Sequence, residues 1–202
     1  MSNNNFKNIE LSIQDPDENK FIVECIETFE NEVLKKPLII LIWGPAKPSD
    51  SSDEYKVNLY NKRVAVKEYL KNLKHDVFFS EEIGEEAEKK LGYRPNPKIF
   101  EKIQIERADL AIMLRVSHGT IGEFHDFGNN PDYARKMYVF FDNRYKEGYT
   151  HLGADEIFVT HGGKLEEFSY PKDITECNLQ DKISNHIRKV QEAIYISPYK
   201  KY

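Results

Sequence analysis

LAIMLRVSHGTIGEFHDF, residues 110–127, joins an apolar run to a polar, glycine-containing segment and then to a second partly apolar one. The run Leu110–Leu114 has no polar residue, which is typical of a strand that is covered on both faces. Thr120 lies where a helix is expected to begin, and Glu123 follows three residues later. Thr120 could be the N-cap of that helix with Glu123 as its capping-box partner, or Glu123 could be free to meet a ligand. The sequence leaves both interpretations open.

Four other short apolar segments share the character of Leu110–Leu114. They are Leu38–Trp43, Val77–Phe79, Met137–Phe141 and Ile157–Val159. Apolar residues spaced three and four apart predict helices over 17–36, 54–73, 97–107 and 178–196. Alternating strands and helices are typical of a parallel sheet with right-handed crossovers. We therefore predict a single-domain, flavodoxin-like (Rossmann-like) α/β fold with five parallel strands in the order 2-1-3-4-5, helices on both faces, and extra helices at both ends.

Length and charge narrow the class of partner. The 202 residues fit one α/β domain over 17–202, preceded by a loosely ordered tail over 1–16. The 29 basic and 34 acidic residues give a formal net charge of -5, which provides no field to attract nucleic acid or an anionic membrane. No apolar run approaches the ~20 residues that span a bilayer. We expect a small-molecule partner and a cytoplasmic location.

The cysteines and histidines predict no metal site. Cys25 and Cys177 lie far apart without a CxxC pair, so neither a zinc site nor a disulfide is indicated. Both are expected to be buried apolar residues. His118 and His125 are seven residues apart, but no second ligand pair accompanies them. We predict neither a metal nor a cofactor.

The predicted strand order locates the candidate site. In a 2-1-3-4-5 sheet the ligand crevice opens between the first and third strands, where the order reverses. The loop after the first strand begins with Gly44 and Pro45, and the loop after the third is 117–122. We expect these loops to face each other, with Glu123 opposite Gly44. A glycine there would let backbone amides approach a ligand, although a turn is the commoner use of a Gly-Pro pair.

Further polar residues are expected on the same rim as Glu123, because they end or follow the third and fourth strands. They are Arg115, Ser117, His118, Gly119, Thr120, Asp142 and Asn143. Small and hydroxyl-bearing residues at a helix N-terminus suit a phosphate or a ribose. Arg63, on the helix after the first strand, could also contact phosphate. A turn-forming role is equally open for Asp142 and Asn143.

Three separated pieces resemble the nucleoside 2-deoxyribosyltransferase family. Ile42–Pro45 resembles that family's strand ending in Ala-Gly-Pro, Ala108–Ile112 resembles its Ala-Asp-Leu-Val strand entry, and Gly119–Glu123 resembles its Gly-Thr-x-x-Glu. The spacing of the last two pieces also resembles the lysine-decarboxylase-like phosphoribohydrolases, the LOG family, of the SLOG superfamily. The pieces occur in matching order over about residues 38–127. The Arg-Lys pair of the LOG pattern falls at Phe100–Glu101 here.

The resemblance implies chemistry at an N-glycosidic bond. It gives Glu123 the role of nucleophile or oxocarbenium stabiliser at the anomeric carbon of a nucleoside or nucleotide. His118 or Asp142 would give the leaving base its proton. Ser117 and Thr120 would hold ribose or phosphate, with the loop after the first strand as the opposing wall. Hydrolysis is favoured over transfer, and the basic residue at 115 favours a phosphorylated substrate such as a nucleoside monophosphate or an NAD-like dinucleotide.

Two other functional classes stay open. Related folds serve as nucleotide-cleaving effectors or as non-catalytic nucleotide-binding sensors in antiviral defence, so a sensor is the main alternative. A flavodoxin-like scaffold for protein interaction is the third. Enzymes that resemble this chain often complete their sites across subunits, which implies a homo-oligomer with 17–36 and 178–196 as candidate surfaces.

Overall fold

The computed structural model describes residues 16–49, 53–145 and 149–197. The strands are β1 (Ile39–Trp43), β2 (Asp76–Phe79), β3 (Leu110–Arg115), β4 (Met137–Asp142) and β5 (Lys164–Phe168). The helices are α1 (Pro16–Thr28), α2 (Glu54–Asn72), α3 (Ser80–Leu91), α4 (Pro97–Arg107), α5 (His118–Gly128), α6 (Pro131–Ala134), α7 (Tyr149–Thr160), α8 (Lys172–Thr175) and α9 (Asn178–Ile196). A π-helix, Phe29–Leu34, continues α1, and a 3-10 turn, Asn143–Tyr145, follows β4.

The chain divides into two compact units, Met1–Lys36 and Pro37–Tyr202. The first unit contains α1 and its π-helical continuation. Ile26 and Phe29 of the predicted apolar stripe are 53% and 44% exposed. The predicted tail, residues 1–16, lies outside the described residues apart from Pro16. The predicted start of the domain at residue 17 stays a prediction.

The second unit is built on a parallel sheet in the order β2-β1-β3-β4-β5, which confirms the predicted fold. Alternate residues of β1 face opposite layers. Ile40 and Ile42 belong to a core shared with α2, α8 and α9, whereas Leu41 and Trp43 belong to a core shared with α4, α5, α6 and α7. Because helices cover both faces, residues of both sets are apolar, which explains why the strand sequences show no alternation.

The fifth strand is not where the sequence predicts it. Ile157–Val159 lies in α7, where Phe158 is buried and both its neighbours are about half exposed. The strand is the charged segment Lys164–Phe168. It pairs with β4 alone, so an edge strand of this kind needs few apolar residues, and a three-residue apolar run suits a helix as well as a strand. A Cβ on Gly163 would lie 2.3 Å from the Phe158 ring, so glycine is required where the chain turns from α7 into β5.

Helix α3 follows β2 directly, on a segment whose apolar spacing predicts no helix. Its sequence, SEEIGEEAEKKL, is mostly charged, and Ser80 is its buried residue. The first turn is fixed by Glu82, whose Oε2 accepts a hydrogen bond from the Phe79 amide at 3.1 Å. The helices predicted over 54–73, 97–107 and 178–196 agree with α2, α4 and α9 to within one residue at each end.

The prediction of buried cysteines is wrong, because Cys25 and Cys177 are both exposed. Cys177 is the N-cap of α9, so it precedes the stripe that begins at Leu179 and packs on the sheet. Cys25 lies in α1 on a face that is open to solvent. None of the helices in the described part of the chain combines the length and the apolar character needed to cross a membrane.

Candidate functional site

The junction between β3 and α5 is capped by Ser117, three residues earlier than expected. The Ser117 Oγ accepts a hydrogen bond from the Thr120 amide at 3.3 Å, and the Thr120 Oγ1 accepts one from the Ser117 amide at 3.0 Å. Thr120 is therefore the third residue of the helix rather than its N-cap, and of the two interpretations left open the capping box of Thr120 with Glu123 is not formed. Ser117 already accepts a hydrogen bond from an amide of the first turn, so Glu123 is not needed to cap the helix.

Glu123 projects from the second turn of α5 into a cavity of about 310 Å³. We call it the Glu123 cavity, and Gly44 lies on its wall, as expected from the strand order. The other walls come from α2, α3, α4 and the segment between the last two. Its charged lining residues are Arg63, Glu81, Glu85, Glu88, Arg94, Glu101 and Glu123. Carboxylates therefore outnumber guanidinium groups in this lining five to two.

The Glu123 carboxyl is largely enclosed by protein. Its Oε2 has no hydrogen-bond partner among the described residues. Burial, followed by the nearby Glu101 carboxylate, raises the pKa of Glu123 to about 7, whereas the Arg63 guanidinium opposes the shift. Glu81 and Asp126 add smaller contributions in the same direction as burial. A pKa in this range suits a group that must gain or lose a proton near neutral pH.

Arg63 is buried beneath the Glu123 cavity and is held by four hydrogen bonds. Its Nη1 and Nη2 donate to the two carboxylate oxygens of Glu81, both at 2.6 Å. The same two nitrogens donate to the carbonyl oxygens of Pro45 at 3.1 Å and Ile42 at 2.8 Å. A Cβ on Gly44 would lie 2.7 Å from the Arg63 Cδ. The packing of Arg63 therefore requires glycine at position 44, independently of any requirement for ligand binding.

Most of the other predicted site residues lie in a second cavity, of about 610 Å³, which we call the Ser117 cavity. The predicted residues that line it are Pro45, Arg115, Ser117, His118 and Asp142. Gly44 and Pro45 are adjacent in sequence, yet they line different cavities. The structure therefore separates His118 and Asp142, the expected proton donors, from Glu123.

Arg115 and Asp142 are already hydrogen-bonded to other side chains. Arg115 is bound through Nη1 and Nη2 to both carboxylate oxygens of Asp155. Asp142 accepts hydrogen bonds from Tyr55 at 2.8 Å and from the Arg144 side chain and amide. Burial alone would raise the pKa of Asp142, but these hydrogen bonds outweigh it and lower the pKa. Asp142 is therefore suited to hold Arg144 and not to donate a proton.

The remaining candidates lie outside both cavities. The Thr120 hydroxyl is buried and donates to the Ser117 carbonyl oxygen at 2.9 Å, so its bonding is used within the cap. Gly119 is exposed in the first turn of α5, and Asn143 donates to the Ser169 Oγ at 3.0 Å. Their roles in binding substrate stay predictions.

Hydrophobic spacing does not identify the acidic residues that line the Glu123 cavity with Glu123. Glu81 and Glu85 belong to α3, whose charged composition is typical of a solvent-exposed segment. Glu101 lies on α4 beside an apolar stripe. A Glu-Glu pair directly after a buried strand, as at Glu81 and Glu82, is a helix N-terminal signal that could have located α3.

No cluster of histidine, cysteine and acidic side chains within the described ranges could hold a metal ion. A comparison with protein-family models gives no match, and a search of curated proteins gives none either. The resemblance carried by the three motif pieces therefore stays a prediction, and the site is interpreted from its own geometry.

Proposed function

We propose that this protein cleaves the N-glycosidic bond of a nucleoside or nucleotide, with Glu123 acting at the anomeric carbon. The observation that carries the proposal is the buried Glu123 carboxyl, which lacks a hydrogen-bond partner for Oε2 among the described residues and points into a cavity. A carboxyl that only stabilised the fold would be paired, because burial without a partner costs free energy.

Cleavage of an N-glycosidic bond develops positive charge on the sugar ring. The ionised form of Glu123 stabilises that charge, or bonds to the anomeric carbon until water or an acceptor base arrives. Because the pKa of Glu123 is about 7, both the protonated and the ionised form of this carboxyl are present at neutral pH in the protein without substrate. A growing positive charge on the substrate favours the ionised form, so the carboxylate binds the transition state more strongly than the ground state.

The charges of the Glu123 cavity favour a neutral or cationic group over a phosphate. Glu85, Glu88 and Glu101 line it, and Arg63 is committed to Glu81. Arg115 gives no support to a phosphorylated substrate, because Asp155 neutralises it. We therefore place the nucleoside part of the substrate in this cavity, and we favour hydrolysis, as the sequence suggests.

The proposal is tested with a panel of ribonucleosides, deoxynucleosides, nucleoside monophosphates and NAD, with release of free base measured by chromatography. Glu123→Gln keeps the shape of the side chain and should lower base release at least ~100-fold, the range expected for loss of a group that acts in the transition state. Glu68→Gln, on the exposed face of α2, is the matched control and should keep the wild-type rate. Base release that is equal in wild type and Glu123→Gln would exclude the proposed role.

A second candidate function is a nucleotide-binding sensor without catalysis, and the Ser117 cavity favours it. This cavity is the larger of the two, and Lys47, Lys56 and Tyr55 line it. Lysines supply charge for a phosphate and a tyrosine ring supplies a face for a base. Binding of AMP measured by calorimetry, with no base release from any member of the panel, would favour this function. The homo-oligomer and the cytoplasmic location stay predictions under either function.

A further inference from the structure

Helices α4 and α5 each present a carboxyl group to the Glu123 cavity. Glu101 and Glu123 both line it, and the Lys98 Nζ lies 2.9 Å from the Asp126 Oδ2. Lys98 is one helical turn before Glu101, and Asp126 is one turn after Glu123, so the ion pair joins the turns next to the two carboxyls. The ion pair is exposed and contributes little stability, but it shows which faces of the two helices meet.

Neither carboxyl is bound directly by a cation within the described ranges of the chain. Lys98 is paired with Asp126, and no hydrogen bond or ion pair to Glu101 is present among the described residues. Burial raises the pKa of Glu101, and the Asp126 carboxylate adds to the shift while Lys98 opposes it.

The other charged residues around the cavity do not form ion pairs with Glu101 or Glu123 in the described part of the chain. The groups that bear on Glu123 are Arg63, Glu81, Asp126 and Glu101 itself. Arg63 is bound to Glu81, and its lowering effect on the pKa of Glu123 exceeds the raising effect of Glu81 but not that of burial. Glu85, Glu88 and Arg94, the remaining charged lining residues, are exposed. The Glu101 carboxylate raises the pKa of Glu123, so the two carboxyls in this partly desolvated cavity do not ionise independently.

We propose that Glu101 is the general acid and base of the reaction proposed above, on which this inference rests, and that Glu123 faces the sugar. Glu101 takes the place that His118 and Asp142 cannot fill, because those residues line the Ser117 cavity. Two carboxyls with separate roles, one that exchanges a proton and one that stabilises the sugar cation, form a known solution for glycosidic bonds.

The step balances in atoms and charge. In the reactive form Glu101 carries the proton and Glu123 is ionised. In the first half, the Glu101 proton passes to a ring nitrogen of the leaving base, the bond between the anomeric carbon and the base breaks, and its electron pair goes to the base. The Glu123 carboxylate stabilises the resulting cation. In the second half, a water oxygen bonds to the anomeric carbon and its proton returns to Glu101. The sum is nucleoside plus water giving sugar plus free base.

The first experiment needs no substrate, so it tests the pair even if the proposed function fails. The titration of Glu123 is followed by the ¹³C shift of its side-chain carboxyl in wild type, Glu101→Gln and the control Glu106→Gln. Removing the Glu101 charge should lower the midpoint of Glu123 by at least ~0.5 pH unit, as expected when a neighbouring like charge is lost. Glu106, on the last turn of α4, contacts Tyr133 and should leave the midpoint unchanged. An unchanged midpoint in Glu101→Gln would show that the two carboxyls are not coupled.

The second experiment separates the two roles. A 4-nitrophenyl riboside releases nitrophenolate, which leaves without a proton, whereas an unactivated nucleoside does not. Glu101→Gln should lower kcat at least ~100-fold on the nucleoside and leave the nitrophenyl riboside within ~5-fold of wild type, while Glu123→Gln lowers both. Glu101→Asp should restore part of the nucleoside rate. Equal losses on the two substrates in Glu101→Gln would contradict the role of Glu101 as acid. Failure of wild type on every substrate would instead contradict the proposed function.

Discussion

The Arg63 side chain lies directly against the Cα of Gly44, so closely that a Cβ on Gly44 would be 2.7 Å from the Arg63 Cδ. Arg63 reaches from α2 under the end of β1 and binds Glu81 at the start of α3. This contact joins three elements around the floor of the Glu123 cavity.

Gly44→Ala should destabilise the fold by about 1–3 kcal/mol, because the new methyl group displaces a buried side chain that cannot move without losing its hydrogen bonds to Glu81 and the Ile42 carbonyl. The free energy of unfolding in urea is the measurement. Gly84→Ala is the matched control, since a Cβ there meets nothing within 4 Å. That change, inside α3, should stabilise the protein by about 0.5–1 kcal/mol. Equal effects of the two substitutions would contradict the packing argument.

Glu123→Gln should stabilise the protein above pH 7 and have little effect near pH 4. Burial and Glu101 raise the pKa of Glu123 to about 7, above the ordinary value of 4.5. Between these two values the unfolded chain loses the proton while the folded chain keeps it, so stability falls as pH rises across this range. Glutamine does not titrate, so the variant does not lose stability in this pH range. Melting temperatures of wild type and variant at pH 4, 6 and 8 test this, and a gain that is the same at all three would contradict it.

His186→Phe should have the opposite pH dependence. Burial, followed by Lys164 and Lys189, lowers the pKa of His186 to about 4, and its ring lies 4.6 Å from that of Tyr138. As pH falls from the ordinary pKa of 6.5 towards 4, His186 binds a proton in the unfolded chain but not in the folded chain, so the free energy of unfolding decreases. Phenylalanine keeps the ring contact without the titration. The stabilisation by this substitution should therefore be larger at pH 5 than at pH 8 in urea unfolding, and a smaller gain at pH 5 would refute the assignment.

Lys136→Met should cost about 2 kcal/mol of unfolding free energy. The buried Lys136 Nζ donates to the carbonyl oxygens of Ile105 at 3.2 Å, Glu106 at 3.1 Å and Ala108 at 2.9 Å, at the C-terminal end of α4. Methionine fills similar space but leaves these carbonyls without the charged donor. Lys102→Met, at an exposed position of the same helix, should change stability by less than about 0.5 kcal/mol. Similar costs for the two variants would show that Lys136 does not cap α4.

The sequence predicted the sheet well because covered strands have a strong signal. β1, β3 and β4 are apolar on both faces, and the stripe of α9 from Leu179 to Ile187 packs against the sheet as its spacing indicates. The signal fails where burial is incomplete. β5 is a charged edge strand, and α3 has few apolar residues, so hydrophobic spacing identifies neither.

The candidate site was predictable only in part. Strand order brings Gly44 and Glu123 to one cavity, because that relation depends on topology. It does not predict that Ser117 caps α5, which depends on where the first turn closes, or that Asp155 neutralises Arg115. Both depend on side-chain contacts between residues whose types alone do not specify a partner.

The peptide that joins Gly44 to Pro45 has one consequence for any ligands of the two cavities. Gly44 lines the Glu123 cavity, Pro45 lines the Ser117 cavity, and the Pro45 carbonyl oxygen accepts a hydrogen bond from Arg63. A molecule that displaces this peptide from one side would alter the affinity on the other side. By thermodynamic linkage, the second molecule would then change the affinity for the first by the same factor. If a ligand in one cavity moves Gly44 and Pro45, occupancy of the two cavities is coupled, cooperatively or antagonistically, through these two residues.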